Sequence, residues 1–396
     1  MPTNVFTPSA ELEEFRSSVR RFAEANADSR TVRRLMDTAE GYDPGVWKQM
    51  SGQLGLQGLH LPEEYGGSGV GFVELVIVFE ELGRTLLPSP YLATVALGAN
   101  AILRAGTEEQ RARWLPGIAA GEKIATLAYA EAIGGPDGLT IEAGASGGGY
   151  TLTGHARHVV DGLGADLIVL PARVDGVVGL FLVEGGPEGL HRTAMPGMDL
   201  TRRQARLDLD GVPATRLGEG SDAGEVLRRI LDQAAVCLSA EMLGGAQVCL
   251  DMAVGYSRDR YQFGRPIGSF QAVKHRCADM LVDVESARSA VQYAAWTAEH
   301  EAEELATVAA VTKAFTSQAY VDCANRNIYV HGGIGFTWEH DAHLYLRRAT
   351  SSAAMLGGAR RHRAELARQL IDAGRTGRAA RPTPEAKTRS TYERDL

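Results

Sequence analysis

A chain of 396 residues, 44% hydrophobic and 23% charged, can bury a sizeable core and is long enough for about two or three domains. Its net charge of −8 disfavours wholesale nucleic-acid binding, so any basic patch for an anionic ligand must be local. The four cysteines, Cys237, Cys249, Cys277 and Cys323, form no C-x-x-C pair, which argues against a disulfide framework or zinc site and fits a reducing cytoplasm.

In chain order, "MPTNVFTPSAELEEF" lacks the basic and apolar regions of a signal peptide. No apolar run approaches the roughly 20 residues that span a membrane. "TPSAELEEFRSSVRRFAEANA" has a Thr or Ser cap, an acidic first turn and apolar spacing at Leu12, Phe15, Val19 and Phe22, which predicts a helix. "LPEEYGGSGVGFVELVIVFEELGRTLLPSP" reads as a Gly-rich turn and a long apolar helix stopped by Pro88 and Pro90. "GTEEQRARWLPGIAAGEK" reads as a capped helix closed by Pro116 and Gly121. These make an all-α domain over 1–123. The period then falls to two in "YTLTG", "DLIVLPARV", "GVVGLFLVEGG" and "QARLDLDGV", which predicts an antiparallel β domain over 124–222. A helical period returns over 223–375, and 376–396 reads as a polar tail. The meeting of such domains leaves a crevice of the kind that binds ligands.

Two long motifs carry more information. "RYQFGRPIGSFQAVKHRCADM", residues 260–280, and "HGGIGFTWEHDAHLYLRRA", residues 331–349, together with "LPEEYGGSG" and "EELGR", resemble the acyl-CoA dehydrogenase family over about residues 8–372. The resemblance implies an α+β multi-domain fold: an N-terminal helical domain, a middle antiparallel β-barrel and a C-terminal four-helix bundle. It also implies FAD as cofactor, an acyl-CoA substrate desaturated to the 2-enoyl thioester, and an electron-transfer flavoprotein as acceptor. In the family, the flavin is contacted by its own chain and by the bundle of a neighbouring subunit. Arg260, Gln262, Phe263, Gly332, Gly333 and Gly335 match the set that reaches over to a neighbour's flavin. A forked guanidinium suits a pyrophosphate, and glycines let backbone approach a ligand. Tyr329 departs from the glutamine usual there.

The set that holds the chain's own flavin departs much further. Ala130 and Pro136 stand where the family has Thr and Ser, and His158 and Val160 replace the aromatic and Thr of the next motif. Each change removes a donor that a desolvated polar cofactor needs. Leu356 occupies the family's usual catalytic carboxylate position, and Ala234 and Ala235 occupy the alternative one. Glu241 lies two turns beyond Ala234 on an apolar stripe. Burial there predicts a raised pKa and makes Glu241 a candidate base, although about 10 Å from the usual place. A structural Glu bonded to a loop is the bland alternative. Arg202 and Arg203 match a loop near CoA phosphates or are simply surface residues. Trp114, Trp338 and Tyr345 are expected to pack, and His331 and His340 have no metal-like companions.

Kept and lost residues thus divide by which flavin they would serve. The resemblance, closest in phrases such as "GRTLLPSPYLATVAL" to actinobacterial enzymes for steroid side-chain CoA thioesters, implies one subunit of an α2β2 assembly completed by a homologous chain. The alternatives are a homotetramer with Glu241 as base, a flavin-dependent monooxygenase of the same fold, and a non-catalytic scaffold subunit. No metal, nucleic acid or membrane is expected.

Overall fold

The computed structural model describes residues 9–220, 222–300 and 303–375. The tail expected at 376–396 lies outside the described residues. Six helices come first: α1 (Ala10–Asn26), α2 (Ser29–Met36), α3 (Pro44–Leu54), α4 (Phe72–Thr85), α5 (Asn100–Ala105) and α6 (Glu108–Ala119). Side-chain oxygens of Ser9, Asp28 and Asp43 cap α1, α2 and α3, and Thr107 and Gln110 close a reciprocal capping box on α6. Pro116 does not end α6 as the sequence predicts; the helix carries it and runs on to Ala119. A π-helical segment, Leu92–Ala99, leads into α5. α1 docks on α4 through charge: Arg20 holds both oxygens of the fully buried Glu81 at 2.8 Å, and Arg16 bridges Glu80 and Glu81.

Seven strands follow: β1 (Ala125–Leu127), β2 (Ile141–Ser146), β3 (Gly149–Val160), β4 (Leu167–Val174), β5 (Val177–Glu184), β6 (Leu190–Ala194) and β7 (Gln204–Arg216). β4, β2, β3, β7 and β5 pair in a ring, since β5 bonds both β7 and β4, so this sheet closes into a barrel. Closure removes the exposed edges an open sheet would present. The barrel is not wholly antiparallel as predicted. β1 runs parallel to β4, and β2 touches β4 in parallel at Glu142 and Arg173. Period-two alternation marks β3 and β7, whereas β4 and β5 are buried along most of their length and read as apolar runs.

The C-terminal layer has α7 (Gly224–Asp259), a short ribbon β8 (Tyr261–Gln262) and β9 (Arg265–Pro266), α8 (Gln271–Glu299), α9 (Leu305–His331), α10 (Ala342–Ala354) and α11 (Ala359–Arg375). Among the described helices, α7 alone is long and apolar enough to cross a membrane, but 78% of its apolar window is buried in the fold, the pattern of a central core helix. It crosses α4 at two glycines. A Cβ on Gly244 would lie 1.9 Å from the Glu80 carbonyl oxygen, and one on Gly83 would lie 2.1 Å from that of Glu241. One hydrophobic cluster runs through all three layers.

Candidate functional site

A cavity of about 690 Å³ opens where the barrel, the start of α7 and α11 meet. Leu227 and Leu231 of α7 and Leu356, just past α10, give it an apolar wall. Arg228, Arg361 and Arg368 give it cationic groups. The Arg361 guanidinium is held below its ordinary pKa by burial and by the neighbouring charge of Arg368. Arg368 is paired with Glu365, and Asp222, Glu225 and Asp232 also line the cavity, so its wall carries both signs of charge, with Arg361 and Arg228 as the groups suited to an anion. Asp232, also in the wall, is pushed up to about 6 by burial, against the pull of Arg228 and Arg229. His362 sits with Nε2 3.0 Å from the Leu356 carbonyl oxygen. Burial, and then the charge of Lys313, lowers its pKa. None of these charged residues stands out in the sequence, because each reads as an ordinary polar position on a helix.

Lys313 of α9 lies behind this wall and is fully buried. Its ammonium donates to Ser317 Oγ at 2.9 Å and to the carbonyl oxygens of Ser352 and Ala353 at 3.1 and 3.4 Å, on the last turn of α10. Burial lowers its pKa to about 7. It fixes the end of α10, from which Leu356 emerges with φ +56°, an unusual conformation for a residue with a side chain.

Inward from Leu356 the molecule is filled by charge. Arg202, in the segment before β7, donates through Nη2 to Glu241 Oε1 and Oε2 at 2.7 and 2.5 Å. Arg348 of α10 donates through Nη1 to Glu241 Oε1 at 2.9 Å and through Nε to Asp199 Oδ2 at 2.6 Å. Thr201 completes the cluster through its hydroxyl, bonded to both Asp199 and Arg348. All four charged side chains are less than a tenth exposed. Only about 10 Å³ of free space remains beside them, against Phe79, Tyr91 and Leu92 of the N-terminal layer. The raised pKa expected of Glu241 is reversed. Burial does push its carboxyl up, but Arg202 and Arg348 outweigh that and hold it below the ordinary carboxylate range. The apolar stripe on α7 was legible, whereas the arginines facing it from two other elements were not. Arg202 is accordingly buried rather than on the surface, and Arg203 bonds the Met36 and Thr38 carbonyls instead of an anion.

Two of the positions that the resemblance assigns to this chain's own flavin, Val160 and His158, make contacts within the fold. Val160 is fully buried and its carbonyl accepts from Thr126 Oγ1 at 2.7 Å. His158 turns through φ +54° and its Nδ1 meets Gln204 Oε1 at 2.9 Å. Arg202 Nη1 lies 3.3 Å from Ser352 Oγ and 3.4 Å from Met355 Sδ, so it packs against the end of α10. The Tyr129 hydroxyl, buried and raised to about 12, faces the Leu356 backbone. Among the described residues, Val160 and His158 are thus engaged within the fold, and no side-chain hydroxyl stands at Ala130, Pro136 or Val160, so these positions fit a polar cofactor poorly.

The second set is on the outside. Tyr256, in the last turn of α7, stacks on His331 at the end of α9, with ring centroids 4.4 Å apart. That contact joins the end of α7, which leads into Arg260, Gln262 and Phe263, to the end of α9, which leads into Gly332, Gly333 and Gly335. Arg260 and Gln262 are exposed and Phe263 is 91% exposed, at φ +53°. Gly332 needs its φ of +63°, and nothing within 4 Å would meet a Cβ there or at Gly333, so their backbone is open to an approaching group. Gly335 is instead buried, and a Cβ would crowd His331 at 3.1 Å. Tyr329, 71% exposed, lies under the Arg276 guanidinium at 4.9 Å. His331 is buried with Nδ1 2.9 Å from the Asn327 carbonyl oxygen, and His340 packs on its ring. Trp114 and Tyr345 are buried as expected, but Trp338 is 56% exposed, with Arg347 over its ring and the edge of His343 against it.

Comparison with known proteins places these features in a family. Residues 9–122 match the model for the acyl-CoA dehydrogenase N-terminal domain, and residues 222–371 match that for the C-terminal domain. Among curated relatives, the acyl-CoA dehydrogenase IpdE2 of Mycolicibacterium smegmatis is 36% identical over 349 residues, covering 88% of this chain and 95% of that one. Two solved structures superpose along 93% of this chain and 99% of theirs. The Tcur3481-Tcur3483 steroid ACAD does so at 32% identity and a TM-score of 0.84. The ChsE4-ChsE5 complex from Mycobacterium tuberculosis does so at 30% identity and a TM-score of 0.85.

Proposed function

The chain belongs to the acyl-CoA dehydrogenase family of oxidoreductases acting on CH–CH bonds, and we propose that it works as one subunit of a hetero-oligomeric member. In this reading a homologous partner chain holds the FAD and carries the base. This chain lends its outer surface: the Arg260 guanidinium toward the pyrophosphate, the bare backbone of Gly332 and Gly333 for close approach, and Phe263 and Tyr329 as flat apolar cover. When bound, the flavin supplies hydride acceptance; this chain's residues bind and shield it. The observation that carries the reading is the contrast between the two half-sites. The outward one is exposed and keeps its matching residues, while on the inward side Glu241 is buried between two guanidiniums and the hydroxyls are missing at Ala130, Pro136 and Val160.

Glu241 in this reading is a structural anion. Both of its oxygens are taken by guanidiniums, and a carboxylate stabilised in its charged form is a weak base. The cavity at Leu356 keeps arginines suited to the phosphates of a CoA-type ligand. A steroid side-chain thioester as the assembly's substrate, and an electron-transferring flavoprotein as its acceptor, fit the two-component steroid complexes named among the similar structures. The test is to purify the full chain alone and with a homologous partner, and to read flavin absorbance and acyl-CoA oxidation. Flavin and turnover should appear only with the partner. One FAD per chain and turnover in the isolated chain would overturn the proposal.

A further inference from the structure

The cavity of this chain ends at Leu356, and we infer that it is blind: it takes the head and thioester end of a CoA-type ligand but admits no long acyl chain. This rests on the CoA-type ligand proposed above. The route inward from Leu356 would pass Met355 and enter the junction of barrel, bundle and N-terminal helices. Arg202 fills that route. Its guanidinium touches Ser352 and Met355 on one side and both Glu241 oxygens on the other.

The plug is electrically complete. Arg202 and Arg348 are balanced by Glu241 and Asp199, and each guanidinium has carboxylate partners within 2.9 Å. To admit an acyl chain, the protein would have to strip a buried ion pair and leave charges facing hydrocarbon, which low-dielectric surroundings penalise heavily. The space left beside the cluster, about 10 Å³, has room for about one water molecule and none for an acyl chain. The wall outside, with Leu227, Leu231 and Leu356, offers apolar cover for a pantetheine arm and the first carbons of an acyl group, and any longer chain would run outward toward solvent rather than inward. Specificity for chain length in this chain is therefore set by Arg202 and Glu241 as a barrier, not by contacts to the chain.

A thioester series on the isolated full chain tests this by calorimetric titration with CoA, butyryl-CoA, octanoyl-CoA and dodecanoyl-CoA. If the cavity is blind, the dissociation constants of butyryl-, octanoyl- and dodecanoyl-CoA agree within about threefold. Were the chain buried inward, each added methylene would tighten binding by about fourfold, the equivalent of about 0.8 kcal/mol; a steady gain of that kind from butyryl to dodecanoyl overturns the inference. Failure of every ligand, CoA included, would instead sink the CoA-type ligand itself and the inference with it. In the Arg202→Ala/Glu241→Ala double variant the plug is removed as a pair, and chain-length dependence should appear. Should that variant not fold, the series on the unaltered protein decides alone.

Discussion

Arg202 and Glu241 form a two-point ion pair, Nη2 reaching both carboxylate oxygens at 2.7 and 2.5 Å, across the junction between the barrel and the bundle. A buried pair of this kind is costly to break and cheap to replace. Glu241→Gln leaves Arg202 without its counter-charge and should destabilise the chain by about 3–5 kcal/mol. Replacing both partners with methionine should cost much less, because no lone charge is left. Denaturant unfolding of the three proteins checks the order. A Glu241→Gln midpoint equal to that of the unaltered chain would mean the carboxylate is free for another role, such as proton transfer.

The same cluster sets an acid limit. Glu241 and Asp199 are both buried, which raises their pKa values, and both are brought below the ordinary carboxylate range by Arg202 and Arg348. A carboxylate with a depressed folded pKa contributes stability above its unfolded pKa, about 4, and loses it as pH falls through the folded value. Stability should therefore drop steeply below about pH 4. The drop should be shallower in the double methionine variant, in unfolding midpoints measured against pH.

The three-layer order was legible because the period of the hydrophobic pattern changes twice, and β3, β4, β5 and β7 fall on the stretches that alternate or run apolar. β1, β2 and β6 were not. β1 is three residues long, and β2 and β6 are exposed along most of their length, so little hydrophobic pattern marks them. At the site, Gly332 and Gly333 were legible from motif and chemistry together. Arg348 was not, since it sits inside a helical "LRRA" where one arginine faces the core and its neighbour Arg347 faces Trp338. Sequence spacing placed Glu241 on the buried face but could not say what met it there, because its partners lie 39 and 107 residues away.

Close crossing of α4 and α7 gives a packing test. Gly244 has no room for a methyl group, its nearest neighbour being the backbone oxygen of Glu80, which cannot swing aside. Gly244→Ala should force the helices apart and cost about 1–3 kcal/mol despite alanine's better helix propensity. Gly52→Ala, on α3 with nothing within 4 Å, is the control and should be neutral or slightly stabilising. Thermal unfolding separates the two; equal melting temperatures would mean that α4 and α7 are further apart than described.

The exposed half-site should separate stability from flavin retention. Arg260→Ala and Phe263→Ala alter exposed side chains and should change the chain's own stability by no more than about 0.5 kcal/mol. In the assembled complex the loss of a charged hydrogen-bond donor at Arg260 should weaken flavin binding by about tenfold or more. Flavin released on dilution and gel filtration of the complex measures this. Unchanged retention in both variants would place the flavin contact elsewhere.

Lys313 gives a pH dependence of opposite sense to the carboxylates. It is fully buried with no carboxylate beside it among its bonded partners, and burial lowers its pKa from 10.5 to about 7. Between those values the unfolded chain holds a proton that the folded chain has released, so stability rises with pH across that window, by at most about 1.4 kcal/mol per pH unit. Below the folded pKa the full cost of a buried ammonium is present; as pH climbs toward the unfolded value that cost fades. Lys313→Met keeps the length of the side chain and removes the titration. Its urea midpoint should be nearly flat from pH 7 to pH 9, where the unaltered chain becomes more stable. Parallel slopes for the two proteins would show that Lys313 stays charged in the fold, held by the carbonyls of Ser352 and Ala353.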